Sequence, residues 1–468
     1  MIPTTLATLA EITGGRLHGC DPQEARSLVI DGPVVTDSRE AAPGSLYVAR
    51  IGESADGHAF VPAAAGGGAV AALTTREVPG LPVVVVKDEQ AAFVALARHL
   101  VDSRPDLDVI AITGSSGKTS TKDLLGAVLA VDGETIAPLG SYNSEVGVPL
   151  TVCRVTPTTK HLVVEMGARG IGHVDYLTRI APPRIGIVLN VGHAHVGEFG
   201  SVEAIATAKG ELPAALPADG VAVLNADDPL VAAMAQRTSA RVVLVGESAT
   251  ANVRATRVEV DERGAASFTV LAPFGTARVE LTLVGRHHVG NALAVIAAAH
   301  AAVLTLEQIV PALAAARPLS RWRMEVTHRG DGVVVVNDAY NANPDSMSAA
   351  LRSLASMSTT GRRWAVLGAM LEMGEDSHEL HAGVGREAAR LGIDEILVVG
   401  EAAAAIAAGA RDHGVRTGAQ VRVVPDAEAA EGVLAKELAA PDIALFKSSR
   451  DAGLRWLGDR IVQKEDHT

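Results

Sequence analysis

From Val109 onward, short runs of β-branched and other apolar residues recur along the chain, and each ends on a polar residue or a glycine. Val109–Ile112 precedes Thr113, Leu162–Val164 precedes Glu165, Ile185–Leu189 precedes Asn190, and Val221–Leu224 precedes Asn225. Later come Val333–Val336 before Asn337, Ala365–Leu367 before Gly368, Ile396–Val399 before Gly400 and Ile443–Phe446 before Lys447. Continuously apolar runs of this length, alternating with helical segments, predict strands buried on both faces of parallel sheets. Ligands of such sheets sit beyond the carboxyl ends of the strands. Glu165, Asn190, Asn225, Asp338 and Lys447 fall in or next to that position, where a polar residue marks either chemistry or a plain turn.

Helical patterning over Gln90–Leu100 stops at Asp102-Ser-Arg-Pro105-Asp, just before the Val109 strand. Another helix ends near Pro311–Pro318, and Ser320–Glu325 opens a new run of strands. These breaks predict an N-terminal domain over 1–105, a central domain over 106–318 and a C-terminal α/β domain over 319–468, in keeping with the length of the chain. The alanine-rich stretch Glu401–Ala410 reads as a helix.

Composition narrows the partners. A formal net charge of -13 argues against a nucleic-acid surface and leaves room only for local basic pockets. Two cysteines, Cys20 and Cys153, exclude a disulfide framework and suit a reducing cytoplasm. The first twenty residues hold Glu11 and Arg16 and lack a basic start followed by an apolar run, and no stretch is apolar for long enough to span a bilayer. A cytoplasmic monomer that does not engage membranes is expected.

The sharpest signal is the strand ending at Thr113 that runs into Gly114-Ser115-Ser116-Gly117-Lys118-Thr119-Ser120 and then a helix. Glycines let backbone N–H groups turn onto phosphate oxygens, the helix offers its positive N-terminus, Lys118 neutralises charge, and the Thr119 hydroxyl suits Mg2+. ATP is the expected nucleotide. The loop is shorter than the common spacing, which would need glycine where Ile112 stands.

Downstream, Asn143-Ser-Glu-Val-Gly147, Val163-Val-Glu165-Met-Gly167, Asn190-Val-Gly-His193-Ala-His195, Ala208-Lys209-Gly-Glu211 and Gly285-Arg-His287-His-Val-Gly-Asn291 follow in order. With Asp37-Ser38-Arg39 near the N-terminus, this series resembles the Mur ligases of peptidoglycan synthesis over nearly the whole chain. Asp338-Ala-Tyr340-Asn341-Ala-Asn343-Pro344-Asp, Gly368–Gly374 and Lys447-Ser-Ser-Arg450 resemble the branch that adds a dipeptide. Third-residue ligases of the same group usually carry a Tyr-Ala-His-Thr-Pro type run there.

The resemblance implies three domains, with a central P-loop parallel-sheet ATPase and a Rossmann-like C-terminal domain. It also implies ATP-dependent joining of D-alanyl-D-alanine to UDP-N-acetylmuramoyl-tripeptide through an acyl phosphate. Thr119 and Glu165 would hold one Mg2+; His195 and a carbamylated Lys209 would serve a second. Asn291 would contact adenine, Arg323 would reach the γ-phosphate from the next domain, and Asp338 would meet the ATP from that side. Lys118, Lys209, His195 and Arg323 form the expected catalytic set, and Ser38, Arg39, Tyr340, Asn341 and Asn343 the substrate contacts. His193 stays outside the metal set. Two departures stand out: His288 where asparagine is frequent, and Ser448 where glycine is usual. The competing readings are another ligase of the group, including a folylpolyglutamate synthase, and a nucleotide-dependent switch that would not need Glu165, His195 and Lys209.

Overall fold

Each of the eight apolar runs forms a strand, within two residues of its expected limits, in a computed structural model that describes residues 1–52, 55–193, 196–414 and 418–463. Three large sheets follow one another along the chain. The first has five strands between Arg16 and Val85, and the second nine strands between Asp108 and Val284. The third has six strands between Glu325 and Lys447. A two-stranded pair, Thr4–Thr5 with Val29–Ile30, flanks the first.

In the central sheet, Asp108–Thr113 lies between His161–Glu165 on one side and Ile185–Val188 on the other, all parallel. The chain therefore leaves this strand first toward one edge and then toward the other, and the crevice at such a reversal is where open sheets bind ligands. Register puts Glu165 beside Ile112 and Val188 beside Thr113, so the phosphate loop, Glu165 and Asn190 emerge together. The C-terminal sheet has the order Glu325–His328, Val334–Asn337, Ile443–Lys447, Arg363–Leu367, Glu395–Val399, Gln420–Val424, with only its first strand antiparallel.

The central sheet differs from the parallel expectation at one end. Val253–Val260, Ala265–Ala272 and Gly275–Val284 form an antiparallel arm. Their burial alternates along much of each strand, because one face is open to solvent, so they lack the continuous apolar signature of the interior strands.

Helices cover the sheets as their sequences dictate. Glu89–Asp102 begins at Asp88, whose carboxylate accepts from Ala91 N, and buries Phe93, Leu96 and Leu100. Lys118–Leu129 starts directly from the loop at Gly117, in a left-handed conformation (φ 82°), and buries Leu124, Leu125 and Val128. The run from Glu401 is a short 3-10 turn and then the helix Ala404–Gly414. No helix among the described residues is long and apolar enough to cross a membrane.

Candidate active site

The phosphate loop is locked before any ligand arrives. Asn190, just past its strand, accepts from Ser116 N at 2.9 Å and returns its amide to Ser116 O at 3.1 Å. Ser115 N donates to Asn190 O, and Ser115 Oγ accepts from Gly192 N. A side chain at Gly117 would strain its positive φ and put a Cβ 2.8 Å from the Asn291 amide oxygen, which explains the glycine there. Lys118 folds back so that Nζ donates to Gly114 O at 2.7 Å.

Thr119, on the first turn of the loop helix, donates to Glu165 Oε2 at 3.0 Å, and Asn143 donates to Oε1 at 2.6 Å. Glu165 is buried, with both oxygens held toward the loop. Lys209 closes this end from the last turn of the helix Val202–Lys209 and is only 4% exposed.

Across the cleft stand residues of the C-terminal third. Arg323 reaches back to Ser141 Oγ at 3.2 Å and Thr119 Oγ1 at 3.4 Å, with its guanidinium 4.4 Å from the centre of the Tyr340 ring. Lys447 pairs with Asp338 at 2.6 Å and donates to the Asn341 carbonyl at 3.0 Å. The cleft has a volume of about 1080 Å³ and is lined by every residue of Gly114–Ser120 together with Glu165, Lys209, Asn291, Arg323, Asp338, Tyr340, Asn341 and Asn343.

The remaining sequence candidates fare differently. Ser38 and Arg39 form a 3-10 turn outside the cleft lining, where Arg39 is exposed and pairs with Asp37. That pairing holds the Asp37 carboxyl at about 2. His195 lies outside the described residues. His193 N donates to Asp345 Oδ2 at 2.9 Å, a bridge between the central and C-terminal parts. Asn225 donates to Leu189 O and is a strand-end brace. Asn343 caps the helix Pro344–Ser356, accepting from Ser346 N at 2.9 Å. Ser141 and Arg169 line the cleft without having been singled out from the sequence, and Arg450 of the Lys447–Arg450 run lines it as well.

Both departures have local compensation. Ser448 is fully buried, and its Cβ lies 2.8 Å from where a Cβ on residue 368 would stand, so glycine at 368 makes the room. His288 Nδ1 lies 3.3 Å from Asn291 Nδ2 and steadies that amide.

Comparison with known proteins places this geometry. Residues 112–299 match the Mur ligase middle domain and residues 322–450 the Mur ligase, glutamate ligase domain. A protein of Mycobacterium tuberculosis named UDP-N-acetylmuramoyl-tripeptide--D-alanyl-D-alanine ligase is 45% identical across 99% of this chain and 98% of its own length. The chain belongs to the Mur ligase family. A crystal structure of MurF from Acinetobacter baumannii superposes with a TM-score of 0.88 at 32% identity, covering 99% of both chains. The MurF ligase of Thermotoga maritima, solved in complex with ADP, gives 0.78 at 26% identity over 93% of this chain and 99% of its own.

In this Mur ligase the lysines of the cleft carry their charge at a cost. Burial pushes Lys118 below the usual lysine range, only partly offset by Glu165, and Arg323 adds to the push. Burial and then Lys118 bring Lys209 down to about 7. Lys447 is lowered by burial, with Asp338 pulling the other way. His287, also at the cleft, is lowered to about 4 by burial and is neutral at physiological pH. Burial makes the Lys118 and Lys447 charges costly, and an anion brought against them eases that cost, so the inner cleft suits a polyanion.

Proposed function

We propose that this Mur ligase uses ATP to join D-alanyl-D-alanine to UDP-N-acetylmuramoyl-tripeptide. The observation that carries the reading is the convergence of Lys118, Lys209, Arg323 and Lys447 on a cleft that also holds the Thr119–Glu165 pair. It is supported by the ligase activity in the name of the 45% identical relative and by the ADP held in the Thermotoga maritima structure. ATP lies with its phosphates on Gly114–Ser120 and its base toward Asn291. Ser38, Arg39, Tyr340, Asn341 and Asn343 serve the other substrates, and the three domains divide near residues 105 and 318.

The chemistry follows from charge. A tripeptide carboxylate oxygen attacks the γ-phosphorus, the bond to the ADP oxygen breaks, and an acyl phosphate forms. The amine of the dipeptide then attacks the acyl carbon, phosphate leaves with the bonding pair, and the nitrogen loses a proton as the amide forms. Lys118 and Arg323 offset negative charge that grows on the transferred group and the leaving ADP. Closure of the C-terminal third excludes water that would otherwise hydrolyse the acyl phosphate.

Thr119 and Glu165 present hard oxygens held 3.0 Å apart, a fit for Mg2+. Lys209 has no hydrogen-bond or ion-pair partner among the described residues, and burial favours its neutral amine. That is the form that captures CO2, so a carbamylated Lys209 fits as an anionic ligand beside His195. Bound Mg2+ would neutralise the phosphates and polarise the transferred group.

The deciding measurement is phosphate release in the presence of each acceptor. Turnover should require both the UDP-tripeptide and D-alanyl-D-alanine and should yield a new amide. Faster turnover with a UDP-dipeptide and a free diamino acid would make it a third-residue ligase. Hydrolysis indifferent to both acceptors would leave a nucleotide switch.

A further inference from the structure

Lys122 and Asp123 lie one turn beyond Thr119 on the loop helix, and both are buried, at 2% and 6% exposure. A charged pair out of water is costly unless every polar atom is answered. Here part of the answer comes from the segment joining the central and C-terminal parts. Lys122 Nζ donates to Asp123 Oδ1 at 2.5 Å, to Pro138 O at 2.6 Å and to Ser320 Oγ at 3.2 Å. Asp123 Oδ2 accepts from Ser320 N at 3.0 Å.

Just past Ser320 the chain is tied to the other side. Arg321 and the Trp322 indole N–H both reach Asp459, and Met324 N donates to Asp338 Oδ1 at 3.0 Å. Trp322 and Met324 adopt positive φ values of 59° and 49°, conformations that bulky residues hold only when the surroundings impose them. The junction between the two bodies is thus reduced to a step beside residue 321.

We infer that the Lys122–Asp123 pair is a positioning device that pins Ser320 to the phosphate-loop helix and so sets the reach of Arg323. Three residues span at most about 10 Å, and the rise from Thr119 to Asp123 is about 6 Å. With Ser320 fixed at Asp123, the Arg323 guanidinium can meet Thr119 and Ser141, where it is found. Without the pin, the last tie to the central part is at Ala316 and Arg317, both bonded to Thr282, so the free connection lengthens and the effective concentration of Arg323 at the phosphates falls. The inference rests on the reading that Arg323 acts on the transferred phosphate.

The test is a double-mutant cycle on kcat for ligation by the full chain. Lys122→Met should lower kcat about tenfold while the KM for ATP changes less than about twofold. Arg323→Ala should lower kcat about 100-fold, and the double variant should be no slower than Arg323→Ala alone. Because Lys122→Met leaves a buried carboxylate unpaired, the paired replacement Lys122→Met with Asp123→Leu, of similar volume, is run alongside with thermal melting. It should stay folded and show the same coupling to Arg323. Losses that multiply in either folded background overturn the positioning role while leaving the role of Arg323 intact. Unchanged kcat in Arg323→Ala removes both.

Discussion

The molecule has two junctions of opposite chemistry. Between the N-terminal and central sheets, Phe93, Leu96 and Leu100 of one helix share a single apolar cluster with Val148, Val152 and the strand residues Val109 and Leu162. Between the central and C-terminal sheets, beyond the pinned Ser320, the contacts nearest the cleft are polar and few: Arg323 on Thr119, His193 on Asp345, and Gly197 N on Glu372 O. Apolar burial is non-directional, loses strength as soon as water enters, and favours one packed arrangement. A handful of hydrogen bonds can be exchanged for water at small net cost. The first junction is therefore a shared core, and the second is the one suited to open for substrate and close for chemistry.

The largest effect should come from breaking the shared core. Phe93 is fully buried, and Phe93→Ala should cost about 3–5 kcal/mol of stability, measured by urea unfolding. The folded fraction should retain its turnover. A loss of turnover without a loss of stability would mean that the first junction also moves during catalysis.

Next is Arg323→Ala at the polar junction, with kcat falling about 100-fold, or about 2.7 kcal/mol, and ATP affinity within a few-fold of normal. Small-angle scattering should show compaction when ATP and the UDP-substrate bind. An unchanged scattering curve together with normal kcat would remove closure from the mechanism.

These contrasts were only partly legible in the sequence. The phosphate loop, Glu165 and Lys447 could be read because continuous strands announce where their carboxyl ends lie, and the structure gathers them into one cleft. Asn190 and Asn225 looked equivalent by position, yet one clamps the loop and the other braces a strand end. That difference depends on which neighbour each amide faces, which periodicity does not encode. The antiparallel arm was hidden because its half-exposed strands alternate. Asn343 sits in a motif that resembles a substrate run, and its amide oxygen also caps a helix, a second task that the motif does not announce. The Lys122–Asp123 pair reads as two ordinary charged residues on a helix, and only their burial against Ser320, nearly two hundred positions later, gives them weight.

A smaller effect sharpens the polar junction without touching a charge. Gly197 lies so close to the Gly374 backbone that an added Cβ must push the two sides apart, whereas at Gly192 the group in the way is the end of the Asp345 side chain, which can turn aside. Gly197→Ala should therefore cost about 1–3 kcal/mol of overpacking in the closed arrangement only. That translates to a kcat drop of about tenfold with nucleotide affinity unchanged by isothermal titration. Equal losses in kcat and nucleotide affinity would place the contact in the open form as well.

The smallest effect is electrostatic and concerns Lys209 at the floor of the cleft. Its amine titrates at about 7 in the folded chain against 10.5 when free, because burial and Lys118 oppose the charge. Below pH 7 both states hold the proton, so the cost of the buried charge is constant. Between about 7 and 10.5 the unfolded chain binds more protons than the folded one, and stability must rise with pH. The slope cannot exceed about 1.4 kcal/mol per pH unit for one group. Urea unfolding in CO2-free buffer without divalent cations should show the wild type gaining on Lys209→Met between pH 7.5 and pH 8.5 by about 1 kcal/mol. Added bicarbonate should raise wild-type stability further, and a 13C carbamate resonance should appear that Lys209→Met lacks. A difference between the two proteins that is flat with pH would mean that Lys209 stays charged in the fold, and the neutral amine needed to capture CO2 would be missing.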